Sequence, residues 1–159
     1  MFHTINEFSE WLRAELSRIR QSLGMETAIA SCIDNDQYTI VEVDSEMEGI
    51  FEVGQMFPLQ DTYCRAVVGQ NNLVNYDHVA TIENMLQHPV YQAIKLESYI
   101  ASPIKNRDGQ VVGTLNFTSL YPHAPKFELI EKELVEQFSR QVSENIDFYK
   151  ILSLRASNA

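Results

Sequence analysis

Residues 98–127, SYIASPIKNRDGQVVGTLNFTSLYPHAPKF, decide the fold of this chain. Two runs rich in aliphatic and β-branched residues flank Asp108-Gly109, a dipeptide that favours a tight turn between antiparallel strands. The exit contains Pro122 and Pro125 and leads into a segment with helical periodicity. We therefore predict a β-hairpin followed by a long helix.

The two ends of the chain carry the clearest helical patterns. Near the start, Thr4 and Glu7 have the spacing of a capping box, and Gly24 is a suitable stop. Apolar residues between them recur every three or four positions. From Phe127 onward the same spacing predicts one helix that runs nearly to the end of the chain. The apolar positions are Ile5, Phe8, Leu12, Leu16, Ile19 and Leu23, then Ile130, Leu134, Phe138, Val142, Ile146, Tyr149 and Leu152.

The segment between these helices predicts strands and irregular structure. Residues 27–33 and 38–43 are rich in β-branched residues and flank a polar turn, which is typical of a hairpin. Residues 44–97 hold a predicted short helix (62–68), a short strand (73–77) and a second short helix (90–96). The fold class is therefore α+β, and the long middle segment is expected to cover a functional surface.

The register of the 98–117 hairpin predicts which side chains share a face of the sheet. If Lys105 pairs with Gln110, the aliphatic Ile100, Ile104 and Leu115 lie on one face, where the long helices can cover them. The other face then carries Tyr99 opposite Asn116, with the small residues between them. A slip of one residue would exchange the two faces.

The mixed character of that second face leaves two interpretations. A pocket floor needs modest volume, some apolar surface and a few directional polar groups. A partly solvated outer face, common in antiparallel sheets, has the same pattern. The roughly fifty residues of the middle segment favour the pocket, since they must pack somewhere and the helices already cover the first face.

Composition bounds the class of protein. The 159 residues predict a single domain (1–159) with an ordinary apolar content of 45% and a net charge of −10. This acidic balance, with no basic cluster, argues against a nucleic-acid partner. Apolar runs are too short for a membrane span, and residues 1–8 have no signal-peptide pattern, so we expect no membrane association. Two cysteines without a disulfide framework predict a cytoplasmic location.

Several motifs, in this order, resemble those of a GAF domain: GQMFPLQDTYC at 54–64, LVNYD at 73–77, HPVY at 88–91, SYIASPI at 98–104, and VGTLNF at 112–117. The resemblance covers most of the chain and is nearest to the sensory input domains of bacterial histidine kinases and diguanylate cyclases. Each motif is weak alone, whereas their combined order and spacing are fairly specific.

The resemblance implies a central antiparallel sheet of five or six strands. Long N- and C-terminal helices would lie on one face, with short helices and loops over a ligand pocket on the other. Members of the family bind cyclic nucleotides, bilins, haem or small metabolites, or have no known ligand. They commonly form homodimers through the terminal helices.

We predict that the pocket binds an unidentified small molecule and acts in signal transduction without catalysis. An aromatic wall, a buried amide and a thiol are the expected contacts, and Asn116→Leu should weaken binding. No cofactor can be named. The expected ligand-binding residues are Phe57, Tyr63, Cys64, His88, Tyr91, Tyr99, Thr114 and Asn116.

Cys64 has two interpretations, a small buried apolar residue or a redox-sensing thiol whose pKa Arg65 could lower. Cys32 is expected in the core. The fold also includes the free methionine sulfoxide reductase, which clusters several cysteines; this chain has two, in different surroundings. A bilin site would be expected to have His after the Cys, where this chain has Arg65, and the Asn-Lys-Phe-Asp-Glu signature of cyclic-nucleotide binders is not evident.

No pattern predicts a catalytic or metal site. The four histidines lack the spacings of a metal motif, although His78 or His88 leaves haem as a minor alternative. Asp61 more simply caps the helix after it. The chain is therefore expected not to be an enzyme. The alternatives are a thiol switch or reductase at Cys64 and a ligand-free interaction module, acting on a partner in trans or as part of a longer protein.

Overall fold

The computed structural model describes residues 1–158. Six antiparallel strands form one sheet in the order β3-β2-β1-β6-β5-β4. The strands are β1 (Thr27–Asp34), β2 (Gln37–Ser45), β3 (Met56–Pro58), β4 (Val74–Tyr76), β5 (Ser98–Lys105) and β6 (Val111–Ser119). The helices are α1 (Ile5–Leu23), α2 (Cys64–Gln70), α3 (Pro89–Ala93), α4 (Leu129–Glu144) and α5 (Ile146–Ser157). The predicted α+β class and sheet are confirmed.

Helix α1 begins and ends where its sequence signals lie. The Thr4 hydroxyl accepts a hydrogen bond from the Glu7 backbone N–H at 3.1 Å, and Gly24 adopts the left-handed conformation with φ 68°. Buried residues on one side of α1 pack with α4, α5 and the sheet. The terminal helices therefore cover the first face of the sheet, as predicted.

The second hairpin keeps the predicted faces but not the predicted register. Tyr99 pairs with Thr118, and Asn116 pairs with Ala101, two residues away from the expected pairing. The Asn106 side chain accepts the backbone N–H groups of Asp108 and Gln110, which widens the turn, and a bulge follows Ile104. Because two residues make one full period of a strand, the faces are unchanged.

The predicted single C-terminal helix is wrong. It breaks at Asn145, whose φ of −112° and ψ of 35° leave the helical region, so that α4 and α5 are separate helices. The Asn145 side chain donates to the Gln141 carbonyl at 2.8 Å and satisfies a helix-end acceptor there. This break lets α4 contact β5 while α5 contacts β2.

The middle segment forms the cover of the second face. Two elements were predicted close to their observed positions, α2 and β4, and α3 lies within the predicted second helix apart from its first residue. The three-residue strand β3 was missed, since so short a strand carries no periodic signal. None of the helices formed by residues 1–158 is both long and apolar enough to cross a bilayer.

Candidate functional site

A cavity of about 310 Å³ lies between the second face of the sheet and the middle segment. Strands β1, β2, β5 and β6 supply its floor, and the loop before β3, the start of α2 and α3 supply its walls. Its lining residues are Ile29, Tyr38, Ile40, Ile50, Phe51, Gln55, Phe57, Asp61, Thr62, Tyr63, Cys64, Pro89, Val90, Ala93, Ile94, Leu96, Tyr99, Asn116 and Thr118. The volume is within the range of small-molecule sites.

The polar side chains under the floor form one hydrogen-bonded network centred on Thr114. Its hydroxyl lies 2.7 Å from Ser31 Oγ, 3.2 Å from Cys64 Sγ and 3.1 Å from Asn116 Nδ2. Asn116 Nδ2 also donates to the Tyr38 hydroxyl at 3.0 Å. Such a network fixes the orientation of the Asn116 amide, because the amide nitrogen is held from two sides.

Three tyrosines pack against one another beside the cavity, two of them, Tyr63 and Tyr99, from the predicted set. The Tyr63 ring lies edge-to-face with Tyr99 and Tyr76, with centroid distances of 5.3 and 5.5 Å. The hydroxyl of Tyr63 donates to the Leu96 carbonyl at 2.8 Å, and that of Tyr99 donates to Cys64 Sγ at 3.1 Å. These hydroxyls are therefore already bonded within the protein, and burial raises the pKa of both groups.

The structure brings together five of the eight predicted residues at the cavity surface: Phe57, Tyr63, Cys64, Tyr99 and Asn116. Thr114 lies beneath them in the network. His88 and Tyr91 do not line the cavity. His88 packs behind Tyr63, with ring centroids 4.8 Å apart, and the Tyr91 hydroxyl donates to Glu97 at 2.6 Å. Ligand binding by any of these residues stays a prediction.

Sequence reasoning missed two polar residues at the floor, Tyr38 and Thr118. Thr118 is 5% exposed and its hydroxyl has no hydrogen-bond partner among the described residues. Its strand position could have revealed it, because residues 114, 116 and 118 of β6 share one face. Predicting that Tyr38 lies at the floor would have required the alignment of β2 with β1 and of β1 with β6.

The environment of Cys64 does not activate its thiol. Burial raises its pKa to about 11, more than offsetting the hydrogen bonds with Thr114 and Tyr99. The Arg65 guanidinium donates instead to the Gln60 carbonyl at 2.9 Å, on the exposed side of α2. The thiol is therefore protonated at neutral pH, and the hypothesis that Arg65 lowers its pKa finds no support.

The two cysteines lie on opposite faces of the sheet. Cys64 belongs to the apolar cluster under the cavity, whereas Cys32 packs against the cluster under the terminal helices. Both are free thiols. A disulfide between them would require the sheet to open, since bridged Cα atoms must approach within about 7 Å with side chains facing each other.

His88 is buried with one ring nitrogen unused. Nδ1 accepts the Val90 backbone N–H at 3.3 Å, which caps α3, while Nε2 has no hydrogen-bond partner of good geometry within residues 1–158. Burial lowers the pKa of His88 to about 4, assisted by the nearby Arg65 charge and opposed by the Thr62 backbone. The neutral ring is thus part of the folded cover.

The haem alternative requires a histidine facing the cavity. Neither His78 nor His88 lines it, and His78 Nε2 lies 3.7 Å from a Glu97 carboxylate oxygen instead. Across the described part of the chain, no group of three or more His, Cys, Asp or Glu side chains is placed to hold a metal ion.

Ser31 joins the two faces of the sheet. Its hydroxyl bonds Thr114 on the cavity side, while its backbone carbonyl accepts the hydroxyl of Tyr149, a buried residue of α5. A bulge after Ala30 accompanies this arrangement. A Cβ at position 113 would overlap the Ser31 carbonyl oxygen, so Gly113 is required for the close approach of β6. One residue therefore contacts both the floor and a terminal helix.

Comparisons with known proteins agree with this architecture. The family model for the GAF domain matches residues 7–146. No curated protein matches the sequence. Among solved structures, the type II free methionine-R-sulfoxide reductase from Thermoplasma acidophilum is similar with a TM-score of 0.67 at 15% identity, covering 89% of this chain and 94% of that one.

Two further structures have the same fold. The GAF domain of the Acinetobacter phosphoenolpyruvate-protein phosphotransferase has a TM-score of 0.67 at 14% identity, covering 89% of this chain and 82% of that one. A far-red cyanobacteriochrome photoreceptor has a TM-score of 0.68 at 15% identity, covering 91% of this chain and 86% of that one. At such identities the likeness shows the fold alone.

The prediction that this chain is not an enzyme is contradicted by the reductase, because a catalyst has the same fold. The sequence argument rested on missing motifs for nucleophiles, acid–base pairs and metals. A fold that accommodates catalysis removes the ground for that exclusion.

Proposed function

The chain belongs to the GAF domain family, and from this we propose that it is a regulatory domain that binds a small molecule in the cavity on the second face of its sheet. The observation that carries the proposal is a cavity of about 310 Å³ with a fixed polar floor and apolar walls. Such a combination of volume, apolar surface and few directional groups is characteristic of ligand sites.

The proposed mechanism is a shift in population between cover conformations. A ligand would contact Tyr63 and the α3 side of the cavity. Ser31 would couple ligand binding in the cavity to the position of α5, because it is hydrogen-bonded to Thr114 on one side of the sheet and to Tyr149 on the other. A ligand acts on such an equilibrium only through its different affinity for the two states.

The alternative of a redox sensor or reductase centred on Cys64 has less support. Its thiol has a raised pKa and is buried, and the second cysteine lies across the sheet. Mild peroxide followed by mass spectrometry separates the two functions. Oxidation of Cys64 in the folded protein favours the redox function, and an unmodified Cys64 argues against it.

We also propose that the terminal helices pair with a second copy. Four large apolar side chains of α4 and α5 are exposed in the single chain: Leu129, Ile130, Ile151 and Leu154. Sedimentation velocity should show dimers that Leu154→Glu weakens. A monomer at all concentrations would end this proposal. We propose in addition that the protein acts on a signalling partner in trans. We also propose a cytoplasmic location, with which its two free thiols are consistent.

The binding proposal is tested by a thermal-shift screen of metabolites against the wild type and Val90→Trp, which fills the cavity from α3. The matched control is Val53→Trp, an exposed valine outside the lining. Compounds that raise the melting temperature of the wild type and the control, but not of Val90→Trp, support binding in the cavity. Equal shifts in all three proteins contradict it.

A further inference from the structure

Nearly every polar side chain at the cavity surface already has a protein partner. These bonded groups are the side chains of Tyr38, Gln55, Thr62, Tyr63, Cys64 and Tyr99. Most of these groups keep capacity for a further hydrogen bond, but a protein partner already fixes their orientation. The polar groups on the floor that have no protein partner at all among the described residues are few and can be named.

Two neighbouring groups on β6 remain. Asn116 is 3% exposed and uses its amide nitrogen for Tyr38 and Thr114, while none of the side-chain hydrogen bonds within residues 1–158 uses its side-chain oxygen, Oδ1. The Thr118 side chain lines the cavity, and its hydroxyl oxygen has no partner in the described part of the chain but is almost fully covered, so the side chain must rotate about χ1 before a ligand can reach it. Residues two apart on a strand face the same side about 6.7 Å apart. Together they offer an acceptor beside a group that can donate or accept.

The cavity lacks the charges that would hold an ionised ligand. Within residues 1–158, no lysine, arginine or histidine lines it, and its one carboxylate, Asp61, is exposed. The protein as a whole carries a net charge of −10, which repels anions. Burying an unpaired charge against these apolar walls would be strongly unfavourable.

We infer that the ligand is an uncharged, largely apolar molecule that presents adjacent hydrogen-bonding groups, such as an amide, lactam or imide, to Asn116 and Thr118. This inference rests on the proposed function and narrows it, because phosphorylated and carboxylated ligands are excluded. The amide's N–H donates to the Asn116 carbonyl, and its C=O accepts from the Thr118 hydroxyl. Both unused groups of the floor are then satisfied.

Three nearly isosteric probes test the inference: benzamide, benzoate and benzamidine, which are neutral, anionic and cationic at pH 7. Methyl NMR of the full chain follows the cavity residues Ile29, Ile40 and Leu96 during titration. Benzamide should bind about tenfold or more tightly than benzoate, which has no cation to meet. Benzamidine, whose only opposite charge is the exposed Asp61, should also bind more weakly than benzamide.

Variants assign the contacts. Thr118→Val should weaken benzamide binding about three- to tenfold, as expected for one lost hydrogen bond, without lowering the melting temperature, because its hydroxyl has no protein partner. Thr27→Val is the matched control. It pairs with Thr118 across the strands but lies outside the lining, with its hydroxyl bonded to Ser45. Asn116→Leu should weaken binding further, although it also removes the Tyr38 contact.

The results of these titrations distinguish failure of the inferred ligand class from failure of the proposed binding function. Cavity shifts by benzoate or benzamidine as strong as those by benzamide, or equal benzamide affinity in Thr118→Val and wild type, would overturn the ligand class and leave the cavity as a binding site. No shift by any probe at millimolar concentration would overturn both.

Discussion

The two faces of the sheet come from the same strands but differ in what they contact. Under the terminal helices, Ile100, Ile104, Leu115 and Phe117 have no exposed surface and belong to one apolar cluster. On the other face of β6, Asn116 and Thr118 line the cavity, and Thr114 lies beneath it in the hydrogen-bonded network. If the second face binds a ligand as proposed, substitutions one residue apart on β6 should have different consequences, for stability on the first face and for binding on the second.

The largest contrast is expected between adjacent residues of β6. Phe117→Ala removes a fully buried ring from the helix face and should lower the free energy of unfolding by about 3–5 kcal/mol. Thr118→Val, the next residue, should change it by less than about 0.5 kcal/mol. Urea denaturation of both variants measures the difference, and similar losses would show that the two faces are packed alike.

A substitution of Gly113 tests the close approach of β6 to the Ser31 carbonyl. Gly113→Ala places a Cβ against the Ser31 carbonyl, and the rearrangement of β1 should cost about 2–3 kcal/mol of stability. Gly69→Ala in α2 is the matched control, because nothing lies within 4 Å of its added Cβ. The control should be neutral or stabilising by about 1 kcal/mol, since alanine favours helix. A neutral Gly113→Ala would mean that β1 tolerates a different path.

The cover of the cavity should respond to acid through His88. Its pKa of about 4 in the folded protein lies below the ordinary 6.5, so the unfolded chain binds more protons between these values. Stability is fully present above pH 6.5 and falls as the pH drops, by about 2 kcal/mol between pH 7.5 and 5.

Thermal or urea unfolding across that range, compared between the wild type and His88→Gln, isolates this contribution. His3→Gln at the exposed N-terminus is the control and should keep the wild-type slope. Identical slopes in the wild type and His88→Gln would contradict a neutral, buried His88.

The smallest expected effect concerns the bond from α5 to Ser31. Tyr149→Phe keeps the buried ring and removes its hydroxyl, which should cost about 1 kcal/mol. Tyr121→Phe, at an exposed tyrosine, should change nothing. If Ser31 connects the faces, Tyr149→Phe should also reduce the protection from hydrogen exchange that benzamide induces in α5. Unchanged protection would limit the role of this bond to stability.

The sequence predicted the faces of the sheet better than their register. The pleat has a period of two, so the two-residue shift caused by the Asn106 side chain left Tyr99 and Asn116 on the predicted side. After this shift Tyr99 and Asn116 no longer pair directly across the two strands. Side-chain bonds within a turn compete with hairpin rules, and residue types alone do not reveal which prevails.

The site was only partly predictable. Tyr63 and Cys64 follow from their position on the cover, but the cavity also needs residues 50–55, whose packing depends on the whole fold. Helix periodicity likewise continued through Asn145, although the chain breaks there. A local polar side chain accompanies the shifted register, at Asn106, and the helix break, at Asn145, and a hydrophobic pattern does not record its effect.

Native mass spectrometry of the protein purified from its own cells tests the central claim most directly. We expect the wild type to carry a small molecule with no ionisable group, and Val90→Trp, prepared in parallel, to have lost it. A bound species of equal abundance in both proteins, or a phosphorylated or carboxylated one in the cavity, would contradict the account.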